Sequence, residues 1–167
     1  GVTAPAPTPA AAETPERGAS AIAQEFREIV RASGRTKLRM LLVEDNAANL
    51  RVTKALLEIL GCEVVPALNG LEAVAAYRAG TFDLVLMDCQ MPEMDGYDAT
   101  RLIRQLEATE GRRTPIVALT AHAMAGSRET SLAAGMDDQL TKPLTMAALT
   151  AKLTEWLAKG RVSQPAA

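Results

Sequence analysis

Four short apolar runs in this sequence each lead into side chains that can do chemistry. "RMLLV" is followed by Glu44 and Asp45, "LVLM" by Asp88, "IVAL" by Thr120, and "QLT" by Lys142 and Pro143. Brought to one place, these would be three carboxylates, a hydroxyl and an ammonium. Clustered carboxylates repel one another and stay ionised in an apolar setting only beside a compensating cation. Hard oxygen donors with room for water suit Mg²⁺. A divalent ion there can neutralise a phosphoryl group next to a carboxylate. Asp88, closing the most apolar run, is the candidate nucleophile for an aspartyl phosphate. Phosphoryl transfer needs mainly positioning and charge neutralisation. Lys142 would pair with phosphoryl oxygens, and Thr120 would donate a hydrogen bond to another.

Neighbouring polar residues have plainer uses. Asn46 reads as the cap of the following helix, whereas two adjacent acids exceed what a cap needs, so Asp45 stays with the site. Asp95, in "MDGYD", reads as a helix cap, and Glu93 as a solvated loop residue. His122, the single histidine, reads as an exposed loop residue. Neither G-x-G-x-x-G nor G-x-x-x-x-G-K-[ST] occurs, so nucleotide binding of the usual kinds is not supported.

These residues can act together only if the chain gathers them. From Leu38 onward, strand-like and helix-like segments alternate five times. "LRMLLV" precedes "EDNAANLRVTKALLEILG", in which Leu50, Val52, Leu56, Leu57, Ile59 and Leu60 form a broad apolar helical face. "CEVVPA", "DLVLMD", "TPIVALT" and a short "QLTKP" read as the other strands. "NGLEAVAAYRAG", "GYDATRLIRQLEA", "GSRETSLAAG" and "TMAALTAKLTEWLA" read as the other helices. Such alternation implies a parallel sheet with helices on both faces, and near-continuous apolar strands agree with it. The expectation is a doubly wound α/β domain over residues 37–160, with its site at the carboxyl ends of the strands. All four reactive strand ends then share one edge.

Outside that domain, residues 1–18 are rich in proline and alanine and are expected to be a disordered linker. Residues 19–34 place Ile22, Phe26, Ile29 and Val30 on one helical face, with Ser20 able to start the helix and Gly34 to end it. Such a helix either packs on its neighbour as a linker or couples to an upstream domain. Residues 161–167 are expected to be a disordered tail. A chain starting at Gly1 rather than Met is expected to be a piece of a longer protein.

Hydrophobic residues make up 48% and aromatics only 3%, so Leu, Val, Ile, Met and Ala must fill the core. A net charge of -2, with no basic stretch interleaved with aromatics, argues against nucleic-acid binding. No apolar run reaches the length of a membrane span, and no signal peptide is evident. A cytoplasmic segment without direct membrane contact is expected, whatever anchors a parent chain. Cys62 and Cys89 lack metal-ligand spacing and are expected to be free thiols.

"LLVEDNAANL", "DLVLMDCQMPEMDG", "PIVALTAHA" and "GMDDQLTKP" together resemble the receiver (response regulator) domain of two-component phosphorelays, over about residues 38–158 and in that family's order. "MDCQMPEMDGYDATRLIR" and "ALTAHAMAG" are most similar to receivers of hybrid sensor histidine kinases. The resemblance implies a five-stranded parallel sheet of flavodoxin-like order 2-1-3-4-5. It implies Asp88 as phosphoacceptor, and Asp45, Asp88 and the backbone carbonyl of Gln90 as Mg²⁺ ligands, with Glu44 holding a metal-bound water. Thr120 would move toward the phosphoryl group, Lys142 would contact it, and the bond to Pro143 would be cis. Gln90 and His122 stand where the family tunes hydrolysis. Gln139 stands where many receivers carry a switch Tyr or Phe, so an aromatic rotamer switch is not expected. The implied partners are a histidine kinase core, a histidine phosphotransfer domain, or both. The implied function is acceptance of a phosphoryl group from phosphohistidine onto Asp88, for relay or conformational signalling, within a hybrid histidine kinase. The alternatives are a free-standing single-domain response regulator and an aspartyl-phosphate phosphatase. Gln90 counts against the last, because it occupies the position where such an enzyme needs a general acid/base. A receiver catalyses only its own phosphorylation and dephosphorylation.

Overall fold

The apolar runs form strands β1 (Arg39–Val43), β2 (Glu63–Ala67), β3 (Leu84–Asp88), β4 (Ile116–Thr120) and β5 (Asp138–Thr141). Between and around them lie helices α1 (Pro15–Ala32), α2 (Ala47–Ile59), α3 (Gly70–Ala79), α4 (Gly96–Glu110), α5 (Ala125–Ala134) and α6 (Met146–Ala158). The computed structural model describes residues 15–91, 94–111, 113–121 and 125–158. The sheet has the order β2-β1-β3-β4-β5, and every pairing is parallel.

Burial follows from that order. Every residue of the central strands β3 and β4 is buried, whereas the edge strands β2 and β5 expose polar positions. Alternate side chains feed two core layers. Met40, Leu42, Leu84, Leu86, Val117 and Leu119 pack with Leu57 of α2 and with Leu149, Leu153 and Trp156 of α6. Leu41, Val43, Val85, Met87, Ile116 and Ala118 pack with Ala73 and Tyr77 of α3 and with Ala99 and Ile103 of α4. The period-2 alternation of a strand thus fills both faces of the sheet.

Helix starts are set locally. The side chain of Asn46 accepts from the Asn49 N–H at 3.0 Å, and that of Asp95 from the Asp98 N–H at 2.9 Å, each satisfying an otherwise unpaired first-turn donor. Asp95 is therefore a cap, as its sequence context predicts.

Two expectations need correction. The first helix begins at Pro15, not at Ser20, so part of the stretch expected to be disordered is helical. Proline suits the first helical position, where its missing N–H has no partner to lose. The remaining residues assigned to disordered ends, 1–14 and 161–167, lie outside the described residues, as do residues 159–160 at the end of the expected domain. Second, Val52 and Ile59 are 59% and 45% exposed, although they belong to the apolar face read from the sequence. That stripe is wider than the core can cover, and α2 turns Thr53 and Leu57 inward instead.

Cys62 and Cys89 are free and buried. Burial, with Asp83 adding to it, pushes the Cys62 thiol up to about 12, and burial also raises Cys89, so neither is a reactive thiolate near neutral pH. Among the described residues no helix is long and apolar enough to cross a membrane.

Candidate functional site

The register brings the reactive strand ends together. Val43 pairs with Met87, so Glu44 and Asp88 follow at one level on adjacent strands. Thr120 pairs with Thr141, which sets Lys142 just beyond the end of β4. Asp88, Glu44 and Thr120 are only 4%, 2% and 4% exposed, whereas Asp45 is exposed. One carboxylate oxygen from each of Glu44, Asp45 and Asp88 lies within 4.8 Å of the others. The Lys142 ammonium bridges two of them, 2.8 Å from Glu44 Oε2 and 3.1 Å from Asp88 Oδ2. The Lys142–Pro143 peptide bond is cis.

Backbone donors complete the cluster. The Gln90 N–H donates to Asp88 Oδ1 at 3.2 Å, and the Asn46 N–H to Glu44 Oε1 at 3.2 Å. Burial and the facing Glu44 push the Asp88 carboxyl up to about 7, against the lowering effect of Gln90 and Lys142. Burial alone would lower the Lys142 ammonium, but its contacts with Glu44 and Asp88 outweigh that and raise it. Three carboxylates thus face a single ammonium. Three hard carboxylate donors, one of them open to solvent, fit Mg²⁺.

Gly96 starts α4 directly behind Asp88. A Cβ there would stand 2.1 Å from the carbonyl oxygen of Asp88, so only glycine permits this approach. Gly96→Ala is expected to lose about 1–3 kcal/mol by forcing the backbone apart, read as a lower Tm in thermal melts.

The matched family is the response regulator receiver domain, over residues 40–154. The chain belongs to that family. This receiver is 50% identical over 119 residues to the sensor protein GacS of Pseudomonas syringae pv. syringae, a match covering 71% of the chain but only 13% of the relative. It is 44% identical to the receiver domain of the sensor histidine kinase PA1611 from Pseudomonas aeruginosa PAO1, solved with a magnesium ion coordinated in its active-site cleft. That match has a TM-score of 0.66 and covers 73% of this chain and 98% of the other. A co-crystal structure of the Saccharomyces cerevisiae histidine phosphotransfer protein Ypd1 with the receiver domain of Ssk1 matches at 34% identity and a TM-score of 0.70, covering 75% of this chain and 92% of that one.

Within this receiver, Glu44, Asp45, Asp88, Thr120 and Lys142 share the carboxyl edge of the sheet. Gln90 is exposed beside them. Gln139 stands apart on the α5 side of β5, next to a cavity of about 20 Å³ that it lines with Ser131 and Leu132. Its buried Oε1 has no hydrogen-bond partner among the described residues. His122 and Glu93 lie outside the described residues. The sequence did not point to a groove of about 290 Å³ beside the cluster, lined by Asn49, Val52, Thr53, Pro143 and Leu144. Nothing in the sequence marks it, because Val52 reads there as part of the apolar face and is exposed only in the structure.

Proposed function

We propose that this receiver accepts a phosphoryl group on Asp88 from the phosphohistidine of a histidine kinase core or a histidine phosphotransfer domain. The observation that carries the reading is the Lys142 ammonium, held 2.8 Å from Glu44 and 3.1 Å from Asp88 in an acidic cluster. A cation so placed can shift to phosphoryl oxygens arriving beside the carboxylate. An Asp88 carboxylate oxygen attacks phosphorus, and the new O–P bond forms as the P–N bond to imidazole breaks. The imidazole keeps the electron pair and takes up a proton from water. Lys142 then contacts phosphoryl oxygens, and the Thr120 hydroxyl donates to another.

Asp45, Asp88 and the backbone carbonyl of Gln90 would hold Mg²⁺, and Glu44 would hold one of its waters. Bound Mg²⁺ supplies positive charge to the carboxylates and the phosphoryl oxygens. The donor set fits it, and the magnesium-holding PA1611 receiver supports the reading. The groove with exposed Val52 opens beside Asp88's partner Lys142, and the Ypd1–Ssk1 pair supports a phosphotransfer partner. Similarity to GacS and to the hybrid signal transduction histidine kinase G of Dictyostelium discoideum supports a parent chain of the hybrid-kinase type. Gln139 in place of a switch ring favours relay over a large conformational change. Turnover as a phosphatase is disfavoured, because the Gln90 amide cannot shuttle a proton.

Intact-mass measurement after mixing the chain with Mg²⁺ and acetyl phosphate is expected to show one added phosphoryl group. The adduct should vanish in Asp88→Asn and fall sharply with a chelator. An adduct that persists in the variant, or forms equally well without divalent ions, overturns the assignment.

A further inference from the structure

Helix α1 lies upstream of the residues that match the family, yet it is built into the core. Ala23, Phe26 and Val30, at i, i+3 and i+7, are 3%, 2% and 4% exposed. They share one cluster with Leu38, Leu57, Leu60, Cys62, Leu153 and Trp156. The Arg27 guanidinium donates to the carbonyl of Ile59, the last residue of α2, at 2.6 Å. It also covers Gly61, standing 3.1 Å from where a Cβ would project. This is a side-chain cap for carbonyls that a helix end leaves unpaired.

The connection to β1 is short and pinned. Gly34, at φ 86°, turns the chain at the end of α1. Arg35 pairs with Asp83 at 2.6 Å, and the other oxygen of Asp83 accepts the Arg39 N–H at 2.7 Å. Helix α1 is thus held by apolar contacts from Ile22 to Val30 and, just past its end, by an ion pair. Undocked, it would leave an apolar strip of α2 and α6 facing water and would uncover the Cys62 thiol. The α2 helix it braces begins at Asn46, immediately after the Glu44–Asp45 pair.

We propose that α1 is a strap belonging to the receiver's own folding unit, which seals the α2–α6 face and ties whatever precedes Pro15 mechanically to α2. The proposal is independent of the phosphoryl-transfer reading.

The test uses the full chain. In the wild type, amide exchange of residues 23–30 should match that of residues 149–156 in α6, because both open only with the whole domain. Cys62, followed by peptide mapping of thiol labelling, should react on that same slow scale. Phe26→Ala should lower Tm by about 10 °C and speed Cys62 labelling by about 100-fold. Glu28→Ala, at an exposed α1 position, should change neither. Should Phe26→Ala fail to fold, the wild-type exchange still decides. Amides of α1 exchanging far ahead of α6, wild-type Cys62 labelling at free-thiol rates, or a Tm unmoved by Phe26→Ala would overturn the strap.

Discussion

Lys142→Met is expected to slow formation of the Asp88 phosphoprotein by about 100-fold, the usual scale for removing one preorganised positive contact from a developing anionic site. It is also expected to lower Tm at pH 8 and much less at pH 5. Methionine keeps most of the lysine stem and removes only the charge. Glu44 and Asp88, 2% and 4% exposed, would then face each other without the ammonium that contacts both. Taking one side from a buried pair costs about 3–5 kcal/mol, and because Lys142 is 24% exposed the loss here should be about 1–3 kcal/mol. The sign of the pH effect follows from Asp88. Its carboxyl is raised in the folded state to about 7, so its contribution to stability is fully present below its ordinary value of about 4 and is lost as pH rises through about 7. Lys142 opposes that rise, and without it Asp88 moves further up. The Tm gap between variant and wild type should therefore open as pH rises past about 7, as melts from pH 5 to pH 8.5 would show. Millimolar Mg²⁺ should narrow the gap by replacing the missing charge. Equal gaps at both ends of the pH range would mean that the lysine does not act on stability through Asp88.

That pair was only partly legible in the sequence. A parallel sheet leaves one place for strand carboxyl ends, so apolar runs ending in Glu44, Asp88 and Thr120 had to share an edge. Caps were legible for a similar reason: the bond from Asn46 or Asp95 to a first-turn N–H spans three residues and needs no tertiary information. What could not be read is how Lys142 divides itself between Glu44 and Asp88, because that depends on strand order and on the reach of a side chain across two strands. Val52 and Ile59 failed for a related reason. Periodicity gives the width of an apolar stripe, but not which half a neighbouring helix covers. At Pro15 a composition argument about the whole segment gave way to a local preference at one helical position.

The opposite edge of the sheet was invisible to the sequence, and its removal should have the largest effect on stability. Glu107→Ala is expected to cost about 3–5 kcal/mol and lower Tm by about 10 °C. Glu107 is 4% exposed near the end of α4. Its carboxylate accepts from the Tyr77 hydroxyl at 2.9 Å, from the Thr114 N–H, and from Arg104. Arg104 reaches on to the Thr114 carbonyl at 2.7 Å and to Asp137 at 2.6 Å, and Asp137 accepts the Ile116 N–H at 2.9 Å. This network locks the entries of β4 and β5 to α4. In sequence, Arg104 and Glu107 look like an ordinary surface pair three residues apart. Alanine would leave the Thr114 N–H without Glu107 and the half-sequestered guanidinium short of one acid, both costly in a poorly hydrated setting. Glu107→Gln, which keeps one acceptor oxygen, should lose roughly half as much. Because the network joins the amino ends of β4 and β5 while Asp88 closes β3 at its carboxyl end, phosphoprotein formation well below the new Tm should stay within about twofold of wild type. A rate that collapses while the fold holds would show that α4, which starts against the Asp88 carbonyl at Gly96, carries strain from one edge of the sheet to the other.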